Sequence, residues 1–247
     1  MFLTPPKGCG DGSGGIMTLE AVIFAGIGSL VECADLDRAA WNAAFRVHGV
    51  GWDWSFDTYA ELLRPGGDRH LAARYALHMD EIVEAEALDA THQRIFAAQL
   101  SDEVPLRPGV DRVIRWAVRG GVKLALVSRS ETMQVRALLQ ATARQRGGTQ
   151  FDVAVLRGDV GHLPPDPEGM HSALAALDIP ARRAVVVADT PVAAQAARAA
   201  GLPVLGFPGR LAETDIDAFG GVPLDHVLSP DGLTAAWRDG AAQTAAE

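Results

Sequence analysis

The chain has 247 residues, with 22 Lys and Arg against 31 Asp and Glu and a formal net charge of −9. That acidic balance argues against non-specific binding to nucleic acid or to an anionic membrane, both of which need basic patches. Hydrophobic residues make up 48% and charged residues 21%, which suits a folded core and excludes disorder as the main state.

Residues 1–16 are rich in Gly and Pro without periodicity, which predicts a flexible tail, and Met17 directly before the first patterned segment predicts a start there. The N-terminus has no signal-peptide pattern, and no apolar run reaches the roughly 18 residues of a membrane span. Two cysteines, Cys9 and Cys33, make neither a disulfide framework nor a zinc site. The expectation is a cytoplasmic protein with no membrane and no nucleic-acid partner.

Residues 19–24 end in a short apolar run bounded by Gly26, the pattern of a buried parallel strand. A helical segment follows the Leu106-to-Gly109 turn, with Val110, Val113, Ile114, Ala117 and Val118 on one face and Gly120-Gly121 at its end. Further strands are predicted at 122–127, 151–155, 184–188 and 203–206, and a helix opens at Pro191. Strands alternating with helices predict an α/β fold with a mainly parallel sheet. Between the first strand and that series, residues 35–48, 57–63, 68–79 and 81–100 carry helical patterns only. The predicted organisation is a core of 17–33 and 105–229, a helical cap of 34–104 and a C-terminal tail of 230–247.

The segment Val22-Ile23-Phe24-Ala25-Gly26-Ile27-Gly28-Ser29-Leu30 resembles the first motif of the haloacid-dehalogenase (HAD) superfamily: an apolar run, then Asp, any residue, Asp, Gly, Thr, Leu. Leu106-Arg107-Pro108-Gly109-Val110 resembles that superfamily's return from cap to core, and Val127-Ser128 its second motif. Pro164-Pro165-Asp166-Pro167-Glu168 falls where it has Lys-Pro-x-Pro-Asp; Val187-Ala188-Asp189-Thr190-Pro191 falls where it has Glu-Asp-Ser. The cap strings Ala40-Trp41-Asn42-Ala43-Ala44-Phe45, Gly49-Val50-Gly51-Trp52-Asp53-Trp54 and Tyr59-Ala60-Glu61-Leu62-Leu63, with Gly66-Gly67, resemble the CbbY-like branch of sugar-phosphate phosphatases. The resemblance implies a Rossmann-like parallel-sheet core with an inserted helical cap.

It also implies a mechanism that this chain does not support. Such phosphatases attack phosphorus with an Asp carboxylate, and a second Asp two residues on moves the proton. Ala25 and Ile27 stand in those places, and neither a methyl nor a sec-butyl group does either job. The superfamily's Lys is Pro164, and its acidic pair has become Ala188-Asp189. With one carboxylate left of the Mg²⁺ ligands, metal binding is expected to be lost or weak. Ser128, Asp189, Gly66, Gly67 and Arg69 remain as a vestigial ligand pocket, although Asp68 stands where the branch has a Lys. Of the carboxylates a relocated mechanism would need, Glu32 lies seven residues past Ala25 and cannot occupy the strand end, and Asp35 and Asp37 sit farther along a predicted helix.

Other motifs carry less. Gly26-x-Gly28 is half of a dinucleotide-binding loop, but Val31 stands at its third glycine. Ser128 reads as a strand-end hydroxyl or an anion donor, and Asp189 as a metal ligand or part of a helix's N-terminal cap region, where negative charge is favourable. Trp41, Trp52, Trp54 and Tyr59 read as cap core or as a ligand wall; the seven histidines show no metal-ligand spacing. Cys33 reads as a small buried residue or a redox-sensitive thiol. The expectation is a non-catalytic protein, a pseudophosphatase, binding a sugar phosphate or a protein partner. The alternatives are an active hydrolase with rearranged catalytic groups and a scaffold or regulatory subunit that uses no small ligand.

Overall fold

A computed structural model describes residues 18–63, 70–102, 104–145, 151–162 and 166–244. The predicted tail and start at Met17, the cap positions Gly66, Gly67, Asp68 and Arg69, and Pro164 lie outside the described residues.

Five parallel strands form one sheet: β1 (Ala21–Ala25), β2 (Lys123–Val127), β3 (Val153–Val155), β4 (Ala184–Ala188) and β5 (Val204–Gly206), in the order β3-β2-β1-β4-β5. β1 is the central strand, and none of its residues is more than 1% exposed. Val22 and Phe24 point to one apolar layer and Ala21, Ile23 and Ala25 to the other, the period-2 alternation of a strand covered on both faces.

The first layer is closed by α5 (Val110–Gly120), α6 (Thr132–Gln145) and α9 (Pro230–Thr244); the second by α7 (Glu168–Leu177) and α8 (Pro191–Ala199). Val110, Val113, Ile114 and Ala117 of α5 are buried as their spacing predicts, but Val118, placed on the same face, is 53% exposed. The helix ends two residues later, so its last turn overhangs the layer. The segment 230–247, expected to be a tail, is instead largely helix. Leu233, Ala236 and Trp237 of α9 enter the core, and the Trp237 indole donates to the carbonyl of Arg182 at 2.8 Å. Burying these side chains stabilises the core by roughly 1.5–3 kcal/mol for each large one, which is why this short segment packs.

Between β1 and α5 lie α1 (Ala34–Val47), α2 (Phe56–Leu63), α3 (Leu71–Met79) and α4 (Ala85–Ser101). Trp41, Phe45, Trp52, Trp54 and Tyr59 gather with Leu71 and Leu88 into a separate apolar cluster, so the cap has its own core. Asn42 secures the loop before α2: its amide donates to the Trp54 carbonyl at 3.0 Å and accepts from the Trp54 N–H at 2.8 Å. Phe96 and Leu100, late in α4, belong to the main core. The two connections run side by side: Val31 bridges Leu106, and the Arg107 N–H donates to the Leu30 carbonyl at 2.8 Å. Among the described residues no helix is long and apolar enough to cross a membrane.

Candidate functional site

A cleft of about 520 Å³ lies over the carboxyl ends of the strands, roofed by α1, α2 and α4. The chain leaves the central strand to one side for β2 and later returns on the other for β4, the arrangement that opens a crevice at the strand ends. In the sheet register Ala25 is level with Val127 and Ala188. Gly26, Ser128 and Asp189 therefore leave the sheet side by side, and all three line the cleft.

What stands at the strand ends is apolar. Ala25 is 1% and Ala188 0% exposed, and both belong to the apolar layer beneath the cleft. Gly26 adopts φ 96°, ψ 151°, a region essentially restricted to glycine. The loop thus depends on glycine at a place where the resembled motif accepts any residue. A Cβ at Gly26 would sit 2.8 Å from an Asp189 carboxylate oxygen, and one at Gly28 would overlap that carboxylate. The two glycines make room for Asp189. The Ile27 side chain is buried, and its carbonyl accepts from the Leu30 and Val31 N–H groups at 3.0 and 3.1 Å.

Burial pushes the Asp189 carboxyl up to about 6, against the pull of Arg107 and Arg129. The Arg107 guanidinium donates to the carbonyls of Gly28 and Phe207, both at 2.8 Å, and of Pro208 at 2.6 Å, and lies 3.6 Å over the Phe207 ring. It ties the loop after β1 to the loop after β5 from below. Burial lowers its own pKa, offset by Glu32 and Asp189. The sequence shows Arg107 only as a letter in a turn; its role follows from three carbonyls distant in the chain.

Ser128 is 5% exposed; its hydroxyl oxygen accepts from the Ser130 N–H at 3.1 Å and so shapes the turn after β2. Asp189 directly precedes α8 in its N-terminal cap region, and the side chain that caps the helix is that of Thr190, accepting from the Ala193 N–H at 3.3 Å. Of the carboxylates weighed as relocated groups, Glu32 lines the cleft but accepts from the Ala34 and Arg210 backbone N–H groups. Asp35 pairs with Arg210 and with Arg38. Asp37 faces the cleft from the cap, where its oxygens meet the Tyr59 hydroxyl and, at 2.8 Å, His92 Nε2. The Gly26-x-Gly28 loop opens only a three-residue 3-10 turn, Ile27–Ser29, and α1 starts at Ala34; the dinucleotide reading has no α-helix N-terminus to use.

Burial and the Asp189, Asp37 and Glu32 carboxylates push the Cys33 thiol well above its usual value, which leaves it protonated rather than reactive. Trp52 and Trp54 are cap core, whereas Trp41 and Tyr59 are both cap core and cleft wall. One grouping has no linear signature: ligand atoms of His162, Asp166 and Glu168 lie within 4.8 Å of one another. Glu168 there accepts from the Gly161 and His162 N–H groups at 3.0 and 2.8 Å and meets His162 Nδ1 at 3.0 Å, bonds that hold its pKa down. The grouping fastens a loop. Across the cleft, Arg157 pairs with Glu131 at 3.1 Å.

A family model described as haloacid dehalogenase-like hydrolase matches residues 21–201. Protein CbbY of Cereibacter sphaeroides is 33% identical over 195 residues, covering 77% of this chain and 85% of that protein. Protein CbbY of Rhodobacter capsulatus is 30% identical over 203 residues, covering 81% and 89%. The crystal structure of a CbbY variant from Rhodobacter sphaeroides in complex with xylulose-(1,5)-bisphosphate superposes with a TM-score of 0.75 at 30% identity, covering 87% of this chain and 99% of that one.

Proposed function

The chain belongs to the haloacid dehalogenase-like hydrolase family, with CbbY among its relatives, and from that premise we propose that it binds a sugar phosphate without hydrolysing it. One observation carries this reading: the buried methyl groups of Ala25 and Ala188 end the two adjacent strands where phosphoryl-transfer chemistry needs carboxylates. Nucleophilic attack requires a lone pair within reach of phosphorus, and neither methyl has one.

The residues present do not fit a magnesium ion. Asp189 is a single carboxylate, raised to about 6 by burial against the pull of Arg107 and Arg129. The Ile27 carbonyl is engaged by two backbone donors. Mg²⁺ dehydrates reluctantly and needs an octahedron of oxygen ligands, which one carboxylate and an engaged carbonyl do not supply. What remains is a binding site. Its volume suits a small sugar phosphate, and a CbbY relative of the same fold is described with a sugar bisphosphate bound. In this reading the protein acts in the cytoplasm.

The test pairs two measurements on the full chain with xylulose 1,5-bisphosphate and Mg²⁺. The expected result is a rise in melting temperature with no phosphate release above a protein-free blank. Turnover that a chelator abolishes would reinstate a hydrolase with rearranged groups. A scaffold reading has its own support in the exposed apolar Leu77 and Ile82 of the cap, 83% and 103% exposed; absence of both binding and turnover would favour it.

A further inference from the structure

Four residues of α4 that line the cleft, Asp89, His92, Gln93 and Phe96, fall at i, i+3, i+4 and i+7, one helical face turned to the site. From α1, Asp37 binds His92 Nε2 at 2.8 Å, and Trp41, one turn on, stacks on the His92 ring with centroids 4.0 Å apart and planes 8° from parallel. Tyr59 closes the group by donating to Asp37. The cap thus presents an acidic, aromatic-walled corner to the cleft.

Two polar groups in that corner have no counterpart. Asp89 Oδ1 is sealed from solvent and has no hydrogen-bond partner. Trp41 is 3% exposed, and its indole N–H is also unpartnered. Folded proteins satisfy nearly all such groups, and a ligand is one means of doing so. A carboxylate oxygen is best satisfied by a charged donor, and an indole N–H by an acceptor such as a hydroxyl.

The wider charge pattern agrees. Among the described residues six carboxylates line the cleft against two guanidinium groups. Glu131 is paired with Arg157; Glu32 and Asp166 accept from backbone N–H groups; Asp189 feels the pull of Arg107 and Arg129. Asp37 meets the Tyr59 hydroxyl and His92, which leaves Asp89 Oδ1 as the cleft carboxylate oxygen sealed without a partner. Burial raises the Asp89 carboxyl against the pull of His92 and His70. A second phosphate at this end would be repelled, whereas an ammonium group meets carboxylates and aromatic faces.

Resting on the sugar-phosphate reading above, we propose that the cap corner around Asp89 binds a protonated amine, so that the ligand is an amino-sugar phosphate. Calorimetric titration of the full chain near neutral pH with glucosamine 6-phosphate, glucose 6-phosphate and N-acetylglucosamine 6-phosphate tests this, because the three share the phosphate and differ at one substituent. Glucosamine 6-phosphate is expected to bind at least about tenfold more tightly than the other two, the effect of one charge-assisted hydrogen bond. The advantage should vanish in Asp89→Asn, which keeps the side chain's shape.

Equal affinity for the three would overturn the amine assignment and leave sugar-phosphate binding standing. Binding of none would overturn both. A preference for the amine that survives Asp89→Asn would overturn the role given to Asp89. The wild-type comparison decides the matter of the amine even if the variant fails to fold.

Discussion

Replacing Asp189 with Asn should make the protein more stable above neutral pH and leave it unchanged in acid. The carboxyl sits at about 6 in the fold against an ordinary value of 3.8, and burial is the first cause. A shift of some two units corresponds to about 3 kcal/mol. Because the folded value is the higher one, the folded state holds its proton more tightly than the unfolded chain. The contribution is intact below the unfolded value and is lost as pH rises through about 6. Asn reproduces the neutral form against Gly26 and Gly28, so it escapes that loss. Urea unfolding of both proteins without added metal at about pH 4 and pH 8 reads the difference directly. The expected gain is about 3 kcal/mol at the higher pH and close to nothing at the lower. A variant less stable than wild type at about pH 8 would refute the reasoning. It would mean that the arginines, or a bound cation, hold the carboxylate more strongly than burial opposes it.

Gly28→Ala should cost about 1–3 kcal/mol, because its Cβ overlaps the Asp189 carboxylate. In an Asp189→Ala background most of that cost should disappear, and an additive double-mutant cycle would show that the overlap does not matter. Arg107→Met strips three carbonyls of their donor and should lower stability by roughly 3 kcal/mol in a denaturant titration. Trp237→Ala should cost about 3–5 kcal/mol. A melting temperature unmoved by that change would return residues 230–247 to the status of a tail.

The strands were legible because each is a short apolar run, and a parallel strand covered on both faces needs little else. The helices of the cap were legible from periodicity, although α4 begins at Ala85 rather than at 81. The exposed Val118 and the packed α9 were not, for one reason. Whether an apolar residue near a helix end is covered depends on what lies opposite, and an Ala-rich helix such as α9 carries a weak pattern of its own. The candidate site divides the same way. Ser128, Asp189, Ala25 and Ala188 follow from their places in the motifs, and the structure sets them at neighbouring strand ends. Arg107 escaped notice because its partners Phe207 and Pro208 lie a hundred residues away.

From the sequence alone came the α/β core, the inserted cap and the methyl side chains of Ala25 and Ala188, because the identity of a side chain limits its chemistry whatever surrounds it. The tertiary structure decided what the remaining charges do. It sealed Asp189 against two glycines, brought Asp37 to His92 across 55 residues of chain, and left Asp89 Oδ1 without a partner. Burial and opposition are properties of packing, and packing brings together groups whose proximity no local pattern encodes.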